Sequence, residues 1–435
     1  MECSPRTKRL SRARTMLALA CAACGWVAAA PFARAGVNTY ADVFPGDRAA
    51  AMGGAYTALA DDGSGAYYNP AGLVRIPEAD ISLSASAYSY QSFTFEKGFF
   101  GRDFHQEGGL FVPTGFGAIR RLGNLAFGVS IAVPEAFALR TNRSFHDVDL
   151  SGFQFDLDLD FKDDARTYEF GPTLAWSVSP ELSIGATLYY LYGSRSRVSY
   201  FEIADATDPA ALPTLAFSTS QERVTGVTGV LGAQWQPDRC WRFGLALRPP
   251  TDLHHYREEQ DSNFTPVEGL PGLLPAPGTP DILDKGFTEG VPFSATFGTA
   301  WISGEQLTLA ADVSVYGYEH FPGFETPVTR DPTWNLNLGA EYYVYPSIPL
   351  RAGFYTNNSS APDPKTGQTN AREHVDTYGF TIGANWIAEH TELGLGLREG
   401  FETGRTPSVS VEDVAPVVPV RGTETAVFLS SRYKF

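Results

Sequence analysis

Residues 125–133 read LAFGVSIAV. On an extended chain Leu125, Phe127, Val129, Ile131 and Val133 share one face, and Ala126, Gly128, Ser130 and Ala132 share the other. Bulky apolar side chains on one face and small neutral ones on the other are what a strand needs if lipid lies on one side and a lumen on the other. The same stripe recurs in Ile184, Ala186, Leu188, Tyr190 and Tyr192, in Trp334, Leu336, Leu338, Ala340 and Tyr342, and in Tyr378, Phe380, Ile382, Ala384 and Trp386.

Fourteen such strands are expected between residues 78 and 435, the first at 78–92 and the last at 421–435. After each even-numbered strand stands a tight turn such as LGN (122–124), SPE (179–181) or AEH (388–390). After odd-numbered strands the links are long, as at 134–164, 202–220, 250–289 and 404–420. An up-and-down barrel segregates its connections to two rims in this way, with short turns on the periplasmic rim. Five of the six tryptophans after residue 35 (Trp176, Trp235, Trp241, Trp301 and Trp386, with Trp334 the exception) fall near the short-turn side, where an indole meets the bilayer interface. The chain ends AVFLSSRYKF, an alternating stretch finishing on an aromatic residue.

Residues 1–35 have the form of a secretory signal peptide: a basic start, an apolar run from Met16 to Ala30, and Ala33-Arg34-Ala35 before the expected cleavage. Three of the four cysteines lie in it, so Cys240 is left alone and is expected to pack at the rim. The formal charge of −16 becomes more acidic once this basic leader is removed, which excludes a nucleic-acid partner. Beyond the leader no run of about 18 apolar residues exists for a spanning helix. No His-Glu-x-x-His, Gly-x-Ser-x-Gly or phosphate loop occurs, and the adjacent His254 and His255 point apart on an extended chain, so neither an enzyme nor a metal site is expected.

The reading is an all-β, 14-stranded antiparallel transmembrane β-barrel over residues 78–435, preceded by an N-terminal hatch at 36–77. A bore of this size is not filled by its own side chains. Its inner stripes, such as Ser183, Gly185 and Thr187, are small and neutral, with scattered carboxylates such as Asp312 and Glu341. The stretch MGGAYTALADDGSGAYYNPAGL (52–73) supplies a compact stopper: a short helix within Ala49–Ala60 interrupted by Gly53 and Gly54, turns at Asp61, Asp62, Asn69 and Pro70, and tyrosines Tyr67 and Tyr68 turned to the wall or to cargo.

The chain resembles the outer-membrane long-chain fatty acid and aromatic hydrocarbon transporters of the FadL and TodX type. The resemblance rests on Arg48, Met52, Gly53, Gly54, Ala55, Asp61, Asp62, Asn69, Pro70, Ala71, Gly72 and Leu73, with VPTGFGAI (112–119), FGLALRPP (243–250), LAADVSVY (309–316) and LRAGFY (350–355) further on. It implies passive uptake of a hydrophobic small molecule, a fatty acid or a hydrocarbon, by a monomeric barrel in the bacterial outer membrane among lipid and lipopolysaccharide. It also implies a hatch built on Asn69, Pro70 and Ala71, and no cofactor. The basic groups that would hold a carboxylate and the wall kink that would open sideways have no residue-by-residue match. Candidate cargo contacts are Tyr67, Tyr68, Phe155 and Phe161, with Leu270, Leu273 and Leu274 for first capture in loop 250–289. Phe155 and Phe161 belong to FQFDLDLDF (153–161), which reads as an external hairpin, either solvated, collecting cargo, or holding a divalent cation. The same hatch sequence also suits a non-transporting scaffold barrel of a protein secretion system.

Overall fold

The computed structural model describes residues 38–150, 153–208, 213–265, 276–277, 281–323, 327–368, 371–408 and 416–435. The expected signal peptide and Leu270, Leu273 and Leu274 lie outside the described residues. Among the described residues three short helical elements come first: α1 (Asp47–Ala51), α2 (Gly65–Tyr68) and a 3-10 helix (Pro70–Arg75). Six long strands follow, β1 (Ala79–Phe99), β2 (Arg102–Leu122), β3 (Leu125–Leu150), β4 (Phe153–Ser177), β5 (Leu182–Asp205) and β6 (Thr214–Trp235). Then come β7 (Trp241–Arg248), β8 (Thr251–Thr265), β9 (Ala276–Pro277), β10 (Asp281–Val291), β11 (Ser294–Ser303) and β12 (Leu307–Tyr316). A small pair, β13 (Glu319–Phe321) and β14 (Val328–Arg330), precedes β15 (Thr333–Tyr345), β16 (Ile348–Asn357), β17 (His374–Ile387), β18 (Thr391–Pro407) and β19 (Val417–Lys434).

The barrel is closed, since β1 pairs with both β2 and β19, and every neighbouring pair is antiparallel. It has fourteen staves because two of them are broken. β7 and β8 form one stave interrupted at Pro249-Pro250, and β10 and β11 form the next, interrupted at Pro292. Proline cannot donate to a ladder, so the strands part where these residues stand.

Outward side chains carry the lipid band. Leu125, Phe127, Val129 and Ile131 are exposed, while Ala126, Ser130 and Ala132 between them are buried. Trp176, Trp235, Trp241 and Trp386 are exposed near the short turns. Within the expected loops, residues 134–150, 153–164, 202–205 and 214–220 are instead strand, and the staves on this side rise well beyond the band. FQFDLDLDF had the period-two pattern for it: Phe155, Leu157, Leu159 and Phe161 face inward and are buried, and Asp156, Asp158 and Asp160 face water. The inward set packs with Phe93, Phe95, Phe99, Phe104 and Phe137 into an apolar cluster at the outer end. Cys240, expected to pack, is exposed at the short-turn rim.

Candidate functional site

Residues 38–76 lie within the bore, and the wall's polar side chains hold their backbone. Asp312 accepts from the amides of Tyr56 (2.9 Å) and Thr57 (2.8 Å). Asn337 donates to the Gly53 carbonyl (2.6 Å), Thr381 to Ala51 (2.8 Å), and Thr187 to Ala66 (2.8 Å). Short irregular segments leave backbone groups that must find partners when buried, and the small polar lining supplies them.

The local folds explain the sequence. Gly53 and Gly54 take φ of 63° and 81°, which side chains disfavour, and a Cβ on Gly53 would fall 2.8 Å from the Phe354 carbonyl oxygen. The expected helix is correspondingly shorter, ending at Ala51. Asn69 precedes Pro70, is extended (φ −161°), and caps the 3-10 helix by accepting from Ala71 N (3.2 Å). Its amide nitrogen donates to the carbonyls of Thr57 (2.9 Å) and Ala233 (3.0 Å), tying turn to wall. Asp62 shapes a turn as expected, accepting from Ser64 N (2.9 Å), and also accepts from the Tyr56 hydroxyl (2.8 Å).

Asp61 does more than turn the chain. It accepts from Arg48 (2.6 Å) and Arg242 (3.1 Å), and Arg48 reaches on to Glu341. Burial alone pushes its carboxyl up, yet the cations Arg48, Arg242 and Arg432 outweigh it and hold it at about 2. The wall around these residues corrects the expectation of a mostly neutral lining. Arg351 joins Glu341 (2.7 Å) and Glu392 (3.4 Å), Arg432 pairs with Asp80, and Arg398 with Glu424. Single charges spaced along separate strands gave no local pattern from which this network was readable.

Above the segment lies a partly open space of about 200 Å³. Tyr67, Tyr68, Tyr40 and Phe44 border it from the inserted segment, and Arg248, Tyr316 and Pro134 from the wall. The Arg248 guanidinium stacks over Tyr67 at 4.4 Å and pairs with Glu169 at 3.3 Å. Phe155 and Phe161 do not border this space but stand in the outer apolar cluster. Of the expected hatch residues only Gly54 borders it; Gly53, Asp61, Asp62, Asn69, Pro70 and Ala71 do not, and Asp61, Asp62 and Asn69 bond instead within the segment and to the wall.

One wall seam is incomplete. β2 and β3 pair at Glu107–Arg140 and from Gly115–Ala132 to the turn, with no ladder partners between. On the other edge of β3 the register with β4 shifts between Ala132 and Glu135, a bulge at Val133-Pro134. The Pro134 carbonyl accepts from Val43 N of the inserted segment (3.3 Å). A proline in mid-strand was the available signal for this kink.

A fourteen-stave barrel with a lipid-facing band and a chain segment in its bore is an outer-membrane channel. The family model described as outer membrane protein transport protein (OMPP1/FadL/TodX) matches residues 26–399, and the chain belongs to that family. Among solved structures it is similar to a Pseudomonas aeruginosa FadL homologue (14% identity, TM-score 0.64, covering 91% of this chain and 100% of that one). It is also similar to the Ralstonia pickettii toluene transporter TbuX (16%, 0.59, 90% and 98%) and the Pseudomonas putida toluene transporter TodX (14%, 0.58, 91% and 100%). At these identities the likeness is one of fold. No curated protein sequence gives a significant match.

Proposed function

We propose that the barrel admits small, neutral hydrophobic molecules, aromatic or alkyl hydrocarbons, by diffusion, with residues 36–77 as a movable hatch. The observation that carries this is the space against Tyr67 and Tyr68, which Pro134 of the interrupted β2–β3 seam also borders. Its volume of about 200 Å³ suits compact cargo, since an apolar cavity of about 150 Å³ holds a benzene. Arg248, the cation at its edge, is already engaged by Glu169, which favours neutral cargo over a long-chain fatty acid carboxylate.

In this reading the outer apolar cluster, including Phe155 and Phe161, receives cargo, Tyr67 and Tyr68 contact it, and Gly53, Gly54 and the Asp61-Asp62 and Asn69-Pro70-Ala71 turns let the hatch shift. The barrel works as a monomer among outer-membrane lipid and lipopolysaccharide, without a cofactor or catalytic step. A scaffold role gains no support from a lumen stoppered and lined in this way. The test is uptake of labelled toluene and of labelled oleate by cells expressing the protein in a strain lacking such channels. Toluene entry several-fold above the empty vector supports the proposal; no gain for toluene, or a gain for oleate alone, contradicts it.

A further inference from the structure

Outside the lumen, the upper wall from β2 to β8 carries a cationic cleft of about 760 Å³. Cross-strand pairing sets Arg166 of β4 opposite Ser194 of β5, and Ser194 opposite Arg223 of β6. Arg166 and Arg223 are exposed and make no ion pair among the described residues. Their ladder positions put them two strand spacings apart, roughly 10 Å. Arg140 and Lys162, opposite each other on β3 and β4, stand above them. The acids of the cleft's outer face are Asp164, which engages Lys162 (2.6 Å), and Glu258. Glu222 and Arg195, also at the cleft, are engaged elsewhere, by His255 and Asp163. By contrast Arg421, outward on β19, is paired with Glu96.

The height of this cleft decides what it meets. Directly below the arginine row lie Tyr168 and Tyr192, paired across β4 and β5, and below them Phe170 and Tyr190. These aromatics form the upper belt of the apolar band. From Trp176, at the lower belt, to Arg166 is ten residues, roughly 33 Å of strand, or about 25 Å once strand tilt is removed. That is the height of the apolar band itself, so Arg166, Ser194 and Arg223 stand where outer-leaflet headgroups begin.

We propose that this wall is a binding site for a phosphorylated outer-leaflet lipid, with its phosphate between Arg166 and Arg223 at Ser194 and its acyl chains against Phe170, Tyr190 and Val227. Guanidinium groups bind phosphate with directed, charge-assisted hydrogen bonds, and the aromatic row beneath continues the site into the acyl region. The assignment requires only that the barrel sits in the outer membrane, so its failure leaves the transport reading untouched.

The experiment measures affinity of purified, detergent-solubilised protein for lipid A, for chemically dephosphorylated lipid A, and for inorganic phosphate. Wild type is compared with Arg166→Gln/Arg223→Gln and with a control, Arg405→Gln, on β18. Heat-modifiable migration on a cold gel verifies folding. The proposal expects lipid A binding roughly thirtyfold weaker in the double variant, unchanged in the control, and much weaker for the dephosphorylated lipid. Equal binding by wild type and double variant, equal binding of the dephosphorylated lipid, or displacement of lipid A by micromolar inorganic phosphate would overturn it.

Discussion

Arg48 and Glu341, 293 residues apart, meet in a two-pronged contact, Nε at 2.9 Å and Nη2 at 2.8 Å from the carboxylate oxygens. Removing one member of a buried pair leaves a charge without its partner, which is costlier than the pair's own worth. Here Glu341 keeps Arg351 and Asp61 keeps Arg242, so the loss falls at the lower end, about 3 kcal/mol of docking energy for the inserted segment. Arg48→Met is therefore expected to raise single-channel conductance in planar bilayers above a nearly silent wild type. Conductance equal to wild type would contradict a latch at this position.

The Asp61 carboxyl, held at about 2 against an ordinary 3.8, contributes stability that is present above the ordinary value and lost as pH falls through about 2. Conductance should stay flat from pH 7 to pH 4. Asp61→Asn should raise it across that whole range, because the neutral amide leaves Arg48 and Arg242 without this anion. A wild-type conductance that climbs between pH 6 and pH 5 would show that another group controls the segment.

Asn69 makes three hydrogen bonds that no other side chain of its size could repeat in place. Replacing it with alanine removes all three, at about 1 kcal/mol net for each bond, although the Thr57 carbonyl keeps its bond from Gln234 (3.1 Å). Asn69→Ala should shorten the lifetime of segment 38–76 under limited proteolysis from the periplasmic side, with barrel migration on a cold gel unchanged. Equal protection in both proteins would remove Asn69 from the latch.

The barrel was legible because its cause is local: period-two alternation, short and long links in turn, and tryptophans at one rim. Stave length was less so, since Asp156, Asp158 and Asp160 make a strand above the bilayer look like a loop until their inward neighbours Phe155 and Phe161 are seen packed. The broken staves at Pro249-Pro250 and Pro292 and the kink at Pro134 had a signal in the prolines themselves, but not in which seam would part. Among the ion pairs of Arg48, Asp61, Arg242 and Glu341, Arg242–Asp61 spans 181 positions and Arg48–Glu341 spans 293, and only closure of the barrel brings such residues together.

Tyr67 offers its ring to Arg248 on one side and borders the lumen space on the other. Tyr67→Ala removes the stacking partner, worth about 1–2 kcal/mol when desolvated, and one aromatic wall of the space. Toluene uptake should fall about threefold to tenfold, whereas Tyr67→Phe keeps the ring and should stay within twofold of wild type. Similar losses in both variants would place the effect on the hydroxyl instead.

Gly63 lies against β1, where an added Cβ would fall 2.2 Å from the Ser82 hydroxyl oxygen, so cysteines at these two positions bring their side chains into contact between segment and wall. In a Gly63→Cys/Ser82→Cys protein with Cys240 replaced by serine, toluene uptake should nearly cease when the bridge is oxidised and return on reduction. Uptake that is the same before and after reduction would mean that cargo passes without movement of the N-terminal segment.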